Sequence, residues 1–150
     1  MLAVSGRVTQ LAIRALDKAA SLALGPSEQP AHLATGKRGE DLAYFYLRRL
    51  GYVIVARNYR SRHRPSEIDL VGWDGDVLCF IEVKTRTTHA VKPAEAAVDV
   101  KKQRDLRGMA RDYMRRMARY PAYRFDILSI YLLEGADPDF TLFKNAFPLS

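Results

Sequence analysis

The chain has 150 residues, a formal net charge of +7 and a single cysteine, Cys79. This length suits one domain whose core folds without disulfide or metal support, and one cysteine excludes both an internal disulfide and a zinc site built on cysteines. A reducing, cytoplasmic compartment is therefore expected. The positive charge favours a polyanionic partner such as nucleic acid, and no apolar run approaches the roughly 18 to 20 residues of a membrane span, so no membrane partner is expected.

Residues 1–34 are predicted to form an N-terminal extension that precedes the compact domain. Apolar residues recur among the first 24 positions but are interrupted by Arg7, Arg14, Asp17 and Lys18. This pattern is typical of an amphipathic helix and lacks the continuous apolar core of a secretory signal. The stretch "GPSEQP" that follows is a predicted linker. We therefore divide the chain into an extension and linker, residues 1–34, and a domain, residues 35–150.

The sequence of the domain predicts the element order α-β-β-β-α-β-β. The segment "TGKRGEDLAYFYLRRLG" has helical periodicity between a capping residue, Thr35, and a terminating residue, Gly51. Three strands follow, "YVIVARNY", "SEIDLVGW" and "DVLCFIEVKTR", and the last two are joined by a hairpin turn at Asp74–Gly75. A second amphipathic helix spans Asp99–Arg119, and "YRFDILSIYLL" and "FTLFKNAF" are the last two strands. The predicted inner stripe of the second helix is Leu106, Met109, Ala110, Tyr113 and Met117.

The predicted hairpin places charged side chains together on one face of the sheet. We take Asp74 and Gly75 as the two loop residues. The register that follows is Trp73 with Asp76, Val71 with Leu78, Asp69 with Phe80, and Glu67 with Glu82. Because side chains alternate between the two faces of a strand, two sets result. One face carries Glu67, Asp69, Glu82 and Lys84, and the other carries the apolar Ile68, Leu70, Cys79, Ile81 and Val83.

The carboxylates on this face need a compensating charge if the face is half-buried. Two like charges about 5 Å apart repel by roughly 3 kcal/mol at an effective dielectric constant of about 20. Lys84 supplies one positive charge against three negative ones, and hard oxygen ligands suit Mg²⁺ or Mn²⁺. Glu40, near the start of the first helix, is a fourth carboxylate that a helix beside the hairpin would bring to the same site. The residues by themselves fit a metal site and a solvated acidic face equally well, and Glu40 also fits a residue favoured by the helix dipole.

The positive charge of the chain is concentrated in the second helix. The segment Lys101–Tyr120 contains eight lysines or arginines and two aspartates, which gives it a net charge of +6. Such a segment is usually a solvated helix face, but here it accompanies a candidate site for an anionic substrate, so it favours contact with a phosphate backbone. The predicted nucleic-acid-binding residues on one side of this helix are Lys101, Arg104, Arg111 and Arg115.

Several segments occur in order and cover nearly all of residues 36–150: "GKRGEDLAYFYLRRLGYVIVARNYR", "SEIDLV", "FIEVKTR", "KKQRDL", "RFDIL" and "NAF". Together they resemble the YraN family of uncharacterised bacterial proteins. That family is similar to restriction endonucleases and Holliday-junction resolvases. The resemblance therefore implies an α/β fold with an α-β-β-β-α-β core, in which a central mixed sheet is flanked by helices. Sites of that fold combine a helical Glu, a strand Asp and a Glu-x-Lys pair, which implies Glu40, Asp69, Glu82 and Lys84 as the site and Gln103 as an accessory residue.

The function implied is that of a metal-dependent nuclease that hydrolyses phosphodiester bonds in DNA, with branched or structured DNA as a substrate, in the bacterial cytoplasm. Asp69, Glu82 and Glu40 would hold Mg²⁺ or Mn²⁺, Lys84 would orient the water or the phosphate, and Glu67 would support the site. A homodimer would suit a branched substrate. Two alternatives remain open: a non-catalytic nucleic-acid-binding protein of the same fold, and a protein-docking role for the acidic cluster.

Overall fold

The computed structural model of the chain describes residues 31–90 and 98–150. The predicted amphipathic extension and its linker lie almost wholly outside the described residues, and a compact unit spans Thr35–Ser150. The predicted element order is confirmed, including the α-β-β-β-α-β core. The elements are α1 Ala31–Arg49, β1 Val53–Arg60, β2 Glu67–Asp74, β3 Val77–Arg86, α2 Val100–Met114, β4 Tyr123–Tyr131 and β5 Asp139–Phe143. Within this part of the chain, neither helix has the length and apolar character that crossing a membrane requires.

The five strands form one mixed sheet in the order β1-β2-β3-β4-β5. Neighbouring strands are antiparallel except β3 and β4, which are parallel. Parallel neighbours need a crossover connection, and α2 lies in the segment that joins these two strands. The sheet therefore brings the carboxyl ends of β3 and β4 to the same edge.

The end of α1 and the start of α2 lie at residues whose chemistry explains the boundary. Helix α1 begins at Ala31, so Thr35 lies within it and its predicted capping role is wrong. Gly51 follows α1 with a φ of 96°, a conformation that glycine adopts at low cost, so the predicted terminating residue is confirmed. Asp99 caps α2, because its side chain accepts a hydrogen bond from the Lys102 amide at 2.8 Å. The helix ends at Met114 rather than at Arg119 as predicted. Three of the five residues after Met114 are arginines, so a longer helix would crowd like charges.

The core explains why α2 lies against the sheet. Four buried residues of α2 belong to one apolar cluster with the sheet residues Val71, Leu78, Phe80 and Phe125. These four are Leu106, Met109, Ala110 and Met114. Cys79 and Ile81, which alternate with Leu78 and Phe80 along β3, are also fully buried but lie outside this cluster. The strand is therefore covered on both faces, as is usual for a strand with a parallel neighbour.

The predicted register of the β2–β3 hairpin is wrong by two residues. Asp74 pairs with Val77, so the two loop residues are Gly75 and Asp76. Gly75 has a φ of 59°, which fits the first loop position of a type II′ turn, where glycine is preferred. A shift of two residues leaves every β3 side chain on its predicted face, because the side-chain period is also two.

The predicted apolar face is wrong at Ile68. This residue belongs to the same cluster as Val71 and Phe80, although it lies three positions before Val71, which in a regular strand would place it on the opposite face. The neighbouring strand is also irregular here, because Asn58 has a φ of 49°, a left-handed conformation that interrupts the alternation of side chains in β1. Tyr59 pairs with Ile68 just beyond this interruption and packs against the same cluster.

Candidate active site at the end of the hairpin

The candidate site lies where β2 and β3 stop pairing. The register of the hairpin ends at Leu70 and Ile81. One step further, the amide of Val83 donates a hydrogen bond of 2.7 Å to Oδ2 of Asp69. The carboxylate of Asp69 is thus turned toward the backbone of β3. Continuing the observed register by one pair places Asp69 opposite Glu82, whereas the predicted register placed it opposite Phe80.

Glu82 is a buried carboxylate held by two lysines. Glu82 as a whole is 5% exposed. Nζ of Lys84 donates a hydrogen bond of 2.8 Å to its Oε1. Nζ of Lys102, from the first turn of α2, lies 3.4 Å from Oε2. That second contact is an ion pair without a hydrogen bond, because the buried Oε2 has no hydrogen-bond partner in the part of the chain that the structure describes. Glu82 therefore keeps one oxygen able to accept a further ligand.

Asp69 is the site's most perturbed carboxyl group. Burial raises its pKa, the Glu82 carboxylate and Glu40 raise it further, and together they bring it to about 7. The Val83 amide and the charge of Lys102 act in the opposite direction but do not offset these effects. The negative charge at this position is therefore under-compensated, which is the condition that favours a bound proton or a bound cation.

Glu40 reaches the same site because α1 approaches β3 very closely. A Cβ atom on Gly39 would lie 1.8 Å from Oγ1 of Thr85, so only glycine permits this contact. Burial raises the pKa of Glu40, whereas a hydrogen bond from the Asn58 side chain lowers it. The charge of Glu67 raises it as well. Glu40 is thus electrostatically linked to Asp69 on one side and to Glu67 on the other.

Glu67 lies at the margin of this cluster. Its Oε2 accepts a hydrogen bond of 2.9 Å from Nε of Arg60, its partner across the β1–β2 ladder. The side chains are 36% and 77% exposed respectively. A solvent-exposed pair of this kind contributes little to stability. Glu67 is therefore near enough to influence Glu40 but has its own counter-charge.

Gln103, the predicted accessory residue, forms hydrogen bonds with its own helix and with the segment just before it. Its amide nitrogen donates to the Val98 carbonyl at 3.1 Å, and its amide oxygen accepts from Arg107 at 3.3 Å. The preceding residue, Lys102, is the one that reaches Glu82. The predicted nucleic-acid-binding residues of the same segment are all exposed, namely Lys101, Arg104, Arg111 and Arg115.

The donor set of the site fits a hard divalent cation by type and by charge. Asp69 and Glu82 supply carboxylate oxygens, and no described residue forms a hydrogen bond with the buried Oε2 of Glu82. Within residues 31–90 and 98–150, however, no three histidine, cysteine, aspartate or glutamate side chains stand ready to hold a metal ion together. Lys102 stands in the position of a counter-ion to Glu82. A cation at the two strand carboxylates would therefore compete with this lysine.

Three residues of the site were missed by the sequence analysis. Lys102 lies four residues before Leu106 and seven before Met109, so it continues the buried stripe of α2 toward the sheet, and this spacing is a signal that could have found it. Gly39 and Asn58 had no such signal, because their roles depend on a contact with Thr85 and on a left-handed backbone. All three act on the carboxylates: Lys102 on Glu82, and the other two on Glu40.

The fold and the site define a small α/β protein whose mixed sheet carries a lysine-paired acidic cluster at the end of a hairpin. The sequence model of the family described as "Uncharacterised protein family UPF0102" matches residues 39–130. The chain belongs to this family, which confirms the resemblance seen in the sequence.

Relatives named as UPF0102 proteins match over most of their length. The relative from Koribacter versatilis is 53% identical over 142 residues, which cover 95% of this chain and 96% of the relative. One from Solibacter usitatus is 50% identical over 113 residues, 75% of this chain and 84% of the relative. One from Rhodococcus opacus is 39% identical over 117 residues, 77% and 98% of the two chains. The Koribacter alignment is too long to fit within Thr35–Ser150, so the similarity to that relative extends into residues 1–34.

Proposed function

We propose that the protein is a Mg²⁺- or Mn²⁺-dependent nuclease that hydrolyses phosphodiester bonds in DNA, with branched or structured DNA as its preferred substrate. The observation that carries the proposal is the pairing of two carboxylates at the hairpin end. Asp69, whose pKa is raised to about 7, lies beside Glu82, and Lys84 is in direct contact with Glu82. Perturbed carboxyl groups next to an ordered lysine are typical of catalytic sites. The cytoplasm, where the single cysteine stays reduced, is the proposed location.

Asp69 and Glu82, together with the carbonyl of Val83, would hold the cation. When bound, a divalent cation polarises the phosphate and lowers the pKa of water. It would also relieve the repulsion between the carboxylates, which amounts to roughly 3 kcal/mol for two charges about 5 Å apart at an effective dielectric constant of about 20.

Lys84 and Glu40 would act on the reacting atoms. In hydrolysis, the oxygen of a water forms a bond to phosphorus, and the bond between phosphorus and one sugar oxygen breaks. The ammonium group of Lys84 would donate hydrogen bonds to the phosphate as negative charge develops on it. Glu40, whose pKa is raised by burial, would orient the water and accept its proton, while the departing sugar oxygen takes a proton from solvent.

A second function, DNA binding without turnover, is favoured by a specific contact. Lys102 lies 3.4 Å from the oxygen of Glu82 that a cation would need. In a purely binding protein this ion pair would be permanent, and the acidic cluster would serve the fold. The two functions differ in what Asp69 does, because only the nuclease needs this carboxylate for activity.

Calorimetric titration of Mg²⁺ and Mn²⁺ into wild type and Asp69→Asn separates these two functions. The nuclease predicts a binding isotherm for wild type that is lost in Asp69→Asn and retained in Asp76→Asn. Asp76 is a matched control, because it is exposed at the turn of the same hairpin.

Cleavage of duplex, single-stranded and four-way-junction DNA should follow the same pattern, and Lys84→Ala should abolish it while circular dichroism shows an intact fold. Wild type that binds DNA but neither binds the cations nor cleaves any of the three substrates would refute the nuclease and support the binding protein.

A further inference from the structure

The loop between β1 and β2 is fastened to the outer side of α2. Oγ of Ser61 donates a hydrogen bond of 2.7 Å to Oδ2 of Asp112, and Nε of Arg64 lies 3.6 Å from the same oxygen. The amide of His63 donates to Oγ of Ser61 at 3.3 Å, which closes a turn within the loop. The Ser61 hydrogen bond lowers the pKa of Asp112, and the charges of Arg115 and Arg64 lower it further. Asp112 is thus an ionised anchor for the loop.

The same loop lays an arginine across the backbone of the helix. A Cβ atom on Gly108 would lie 2.2 Å from Cζ of Arg64, so the guanidinium group occupies the space that a side chain at position 108 would need. Nε of Arg64 is buried and has no hydrogen-bond partner among the described residues, yet the side chain as a whole is 34% exposed. The side chain of Arg64 is therefore held in place by packing and charge, and part of its surface is open to solvent.

This position fills a gap in the row of exposed cations on α2. Positions 101, 104, 108, 111 and 115 alternate intervals of three and four residues, so they form one stripe along the helix. Arg115 continues the stripe because it caps the helix in helical conformation. Four of these positions are exposed lysine or arginine, and the fifth is Gly108, where the guanidinium of Arg64 lies. We call the row of five cations the basic strip: Lys101, Arg104, Arg64, Arg111 and Arg115.

The dimensions of the basic strip fit a nucleic-acid backbone. Fourteen residues separate its first and last helical positions, which corresponds to about 21 Å along the helix axis. One strand of duplex DNA carries about six phosphates over that length, because successive phosphates of a strand advance by about 3.4 Å along the axis. A row with one cation at each helical turn suits a row of phosphates better than a single compact anion. Four of the five cations are guanidinium groups, which bind phosphate oxygens in a fork.

We propose that the basic strip binds the phosphate backbone of duplex DNA, and that Arg64 is its central contact. Gly108 and Asp112 position that arginine from the helix side. The proposal shares its partner with the proposed function but needs neither a metal ion nor cleavage. It assigns a binding role to the β1–β2 loop, which the sequence analysis left without one.

The test measures the affinity of the full chain for a fluorescent duplex of 30 base pairs by anisotropy, in EDTA, over a series of salt concentrations. The logarithm of the association constant falls linearly with the logarithm of the salt concentration, and losing one phosphate contact makes this slope less steep by about 0.9. Arg64→Ala should show this change, and for affinities that converge near 1 M salt it should bind about 8-fold more weakly at 0.1 M. Arg49→Ala is the control, because Arg49 is exposed at the end of α1 and outside the strip.

Gly108→Ala distinguishes a binding role for Arg64 from a structural one. Alanine is a better helix former than glycine, and the clashing group is the flexible end of a side chain, so the fold should be retained or stabilised. Displacement of the guanidinium should nevertheless weaken DNA binding and make its salt dependence less steep, as Arg64→Ala does.

Unchanged slopes in both variants would overturn the proposal while leaving the nuclease intact. Wild type that binds no duplex, or that binds vesicles of phosphatidylserine and phosphatidylcholine with equal dependence on Arg64, would overturn it as well.

Discussion

Replacing Asp69 with asparagine in the metal-free protein tests the electrostatics of the acidic cluster without any substrate. Burial and the Glu82 carboxylate raise the pKa of Asp69 to about 7 in the folded state, against about 3.9 in an unfolded chain. A group whose pKa is higher in the folded state contributes stability that is complete below the unfolded value and is lost as the pH rises through the folded value. The ionisation of Asp69 should therefore destabilise the wild type progressively from about pH 4 to above pH 7.

The magnitude follows from these two pKa values. Each unit of difference corresponds to about 1.36 kcal/mol, and the titration of Asp69 between pH 5 and pH 8 should cost about 2.5 kcal/mol in the free energy of unfolding. Asparagine has nearly the same shape and keeps an oxygen that accepts the hydrogen bond from the Val83 amide. Because it has no proton to lose, Asp69→Asn should lack this part of the pH dependence and should be more stable than wild type at pH 8.

Urea unfolding followed by circular dichroism, in EDTA at pH 5 and pH 8, gives the free energies needed. The informative quantity is the pH-dependent change in wild type minus the change in Asp69→Asn, since titrating groups that do not interact with Asp69 cancel in this difference. We expect about 2.5 kcal/mol, and we expect Asp76→Asn to behave like wild type because Asp76 is exposed. Parallel pH profiles for wild type and Asp69→Asn would refute the reasoning, since they would mean that Asp69 has similar pKa values in the folded and unfolded states.

Two further substitutions test the contact between Gly39 and Thr85 and the ion pairs of Asp74. Gly39→Ala places a Cβ 1.8 Å from Oγ1 of Thr85; overpacking of this kind costs about 1–3 kcal/mol, which urea unfolding would measure and Thr85→Ala should partly recover. Unchanged stability would contradict the close approach. The pKa of Asp74 is lowered to about 2 by hydrogen bonds from Lys144 and Arg124, so its stabilising effect is present above about pH 4 and is lost toward pH 2. Asp74→Asn should lower the melting temperature at pH 7 and flatten its fall toward pH 3, and a fall as steep as that of wild type would count against this ion pair.

Patterns with a fixed period were predictable from the sequence. The alternation of "FIEVKTR" placed Glu82 and Lys84 on one face, and the two side chains are in contact at 2.8 Å. The inner stripe of α2 was correct at Leu106, Met109 and Ala110 because helical periodicity depends only on local spacing. Even the incorrect hairpin register preserved the faces of β3, since a shift of two residues equals one full period of the strand.

The parts that were not predictable depend on a choice between local geometries or on a distant contact. An Asp-Gly pair fits a hairpin turn with glycine at either loop position, and the two choices differ by two residues in register. The observed choice decides whether Asp69 faces Phe80 or Glu82, and therefore whether two carboxylates meet. The approach of Glu40 depends on the fit between Gly39 and Thr85. Such a fit between separate segments leaves no periodic trace in the sequence.

The distribution of counter-charges explains why Asp69 is the residue on which the competing functions are best separated. Glu82 has Lys84 and Lys102 beside it, and Glu67 has Arg60. Glu40, on α1, has a hydrogen bond from the side chain of Asn58. Within residues 31–90 and 98–150, the side-chain hydrogen bond of Asp69 comes from the Val83 amide, and no ion pair accompanies it. Removing its charge therefore breaks no ion pair within the described cluster, so the fold and the basic strip should persist. Loss of cleavage in Asp69→Asn with undiminished DNA affinity can then be attributed to the chemistry of this carboxylate, whereas the same loss in a Glu82 variant would also reflect two unpaired lysines.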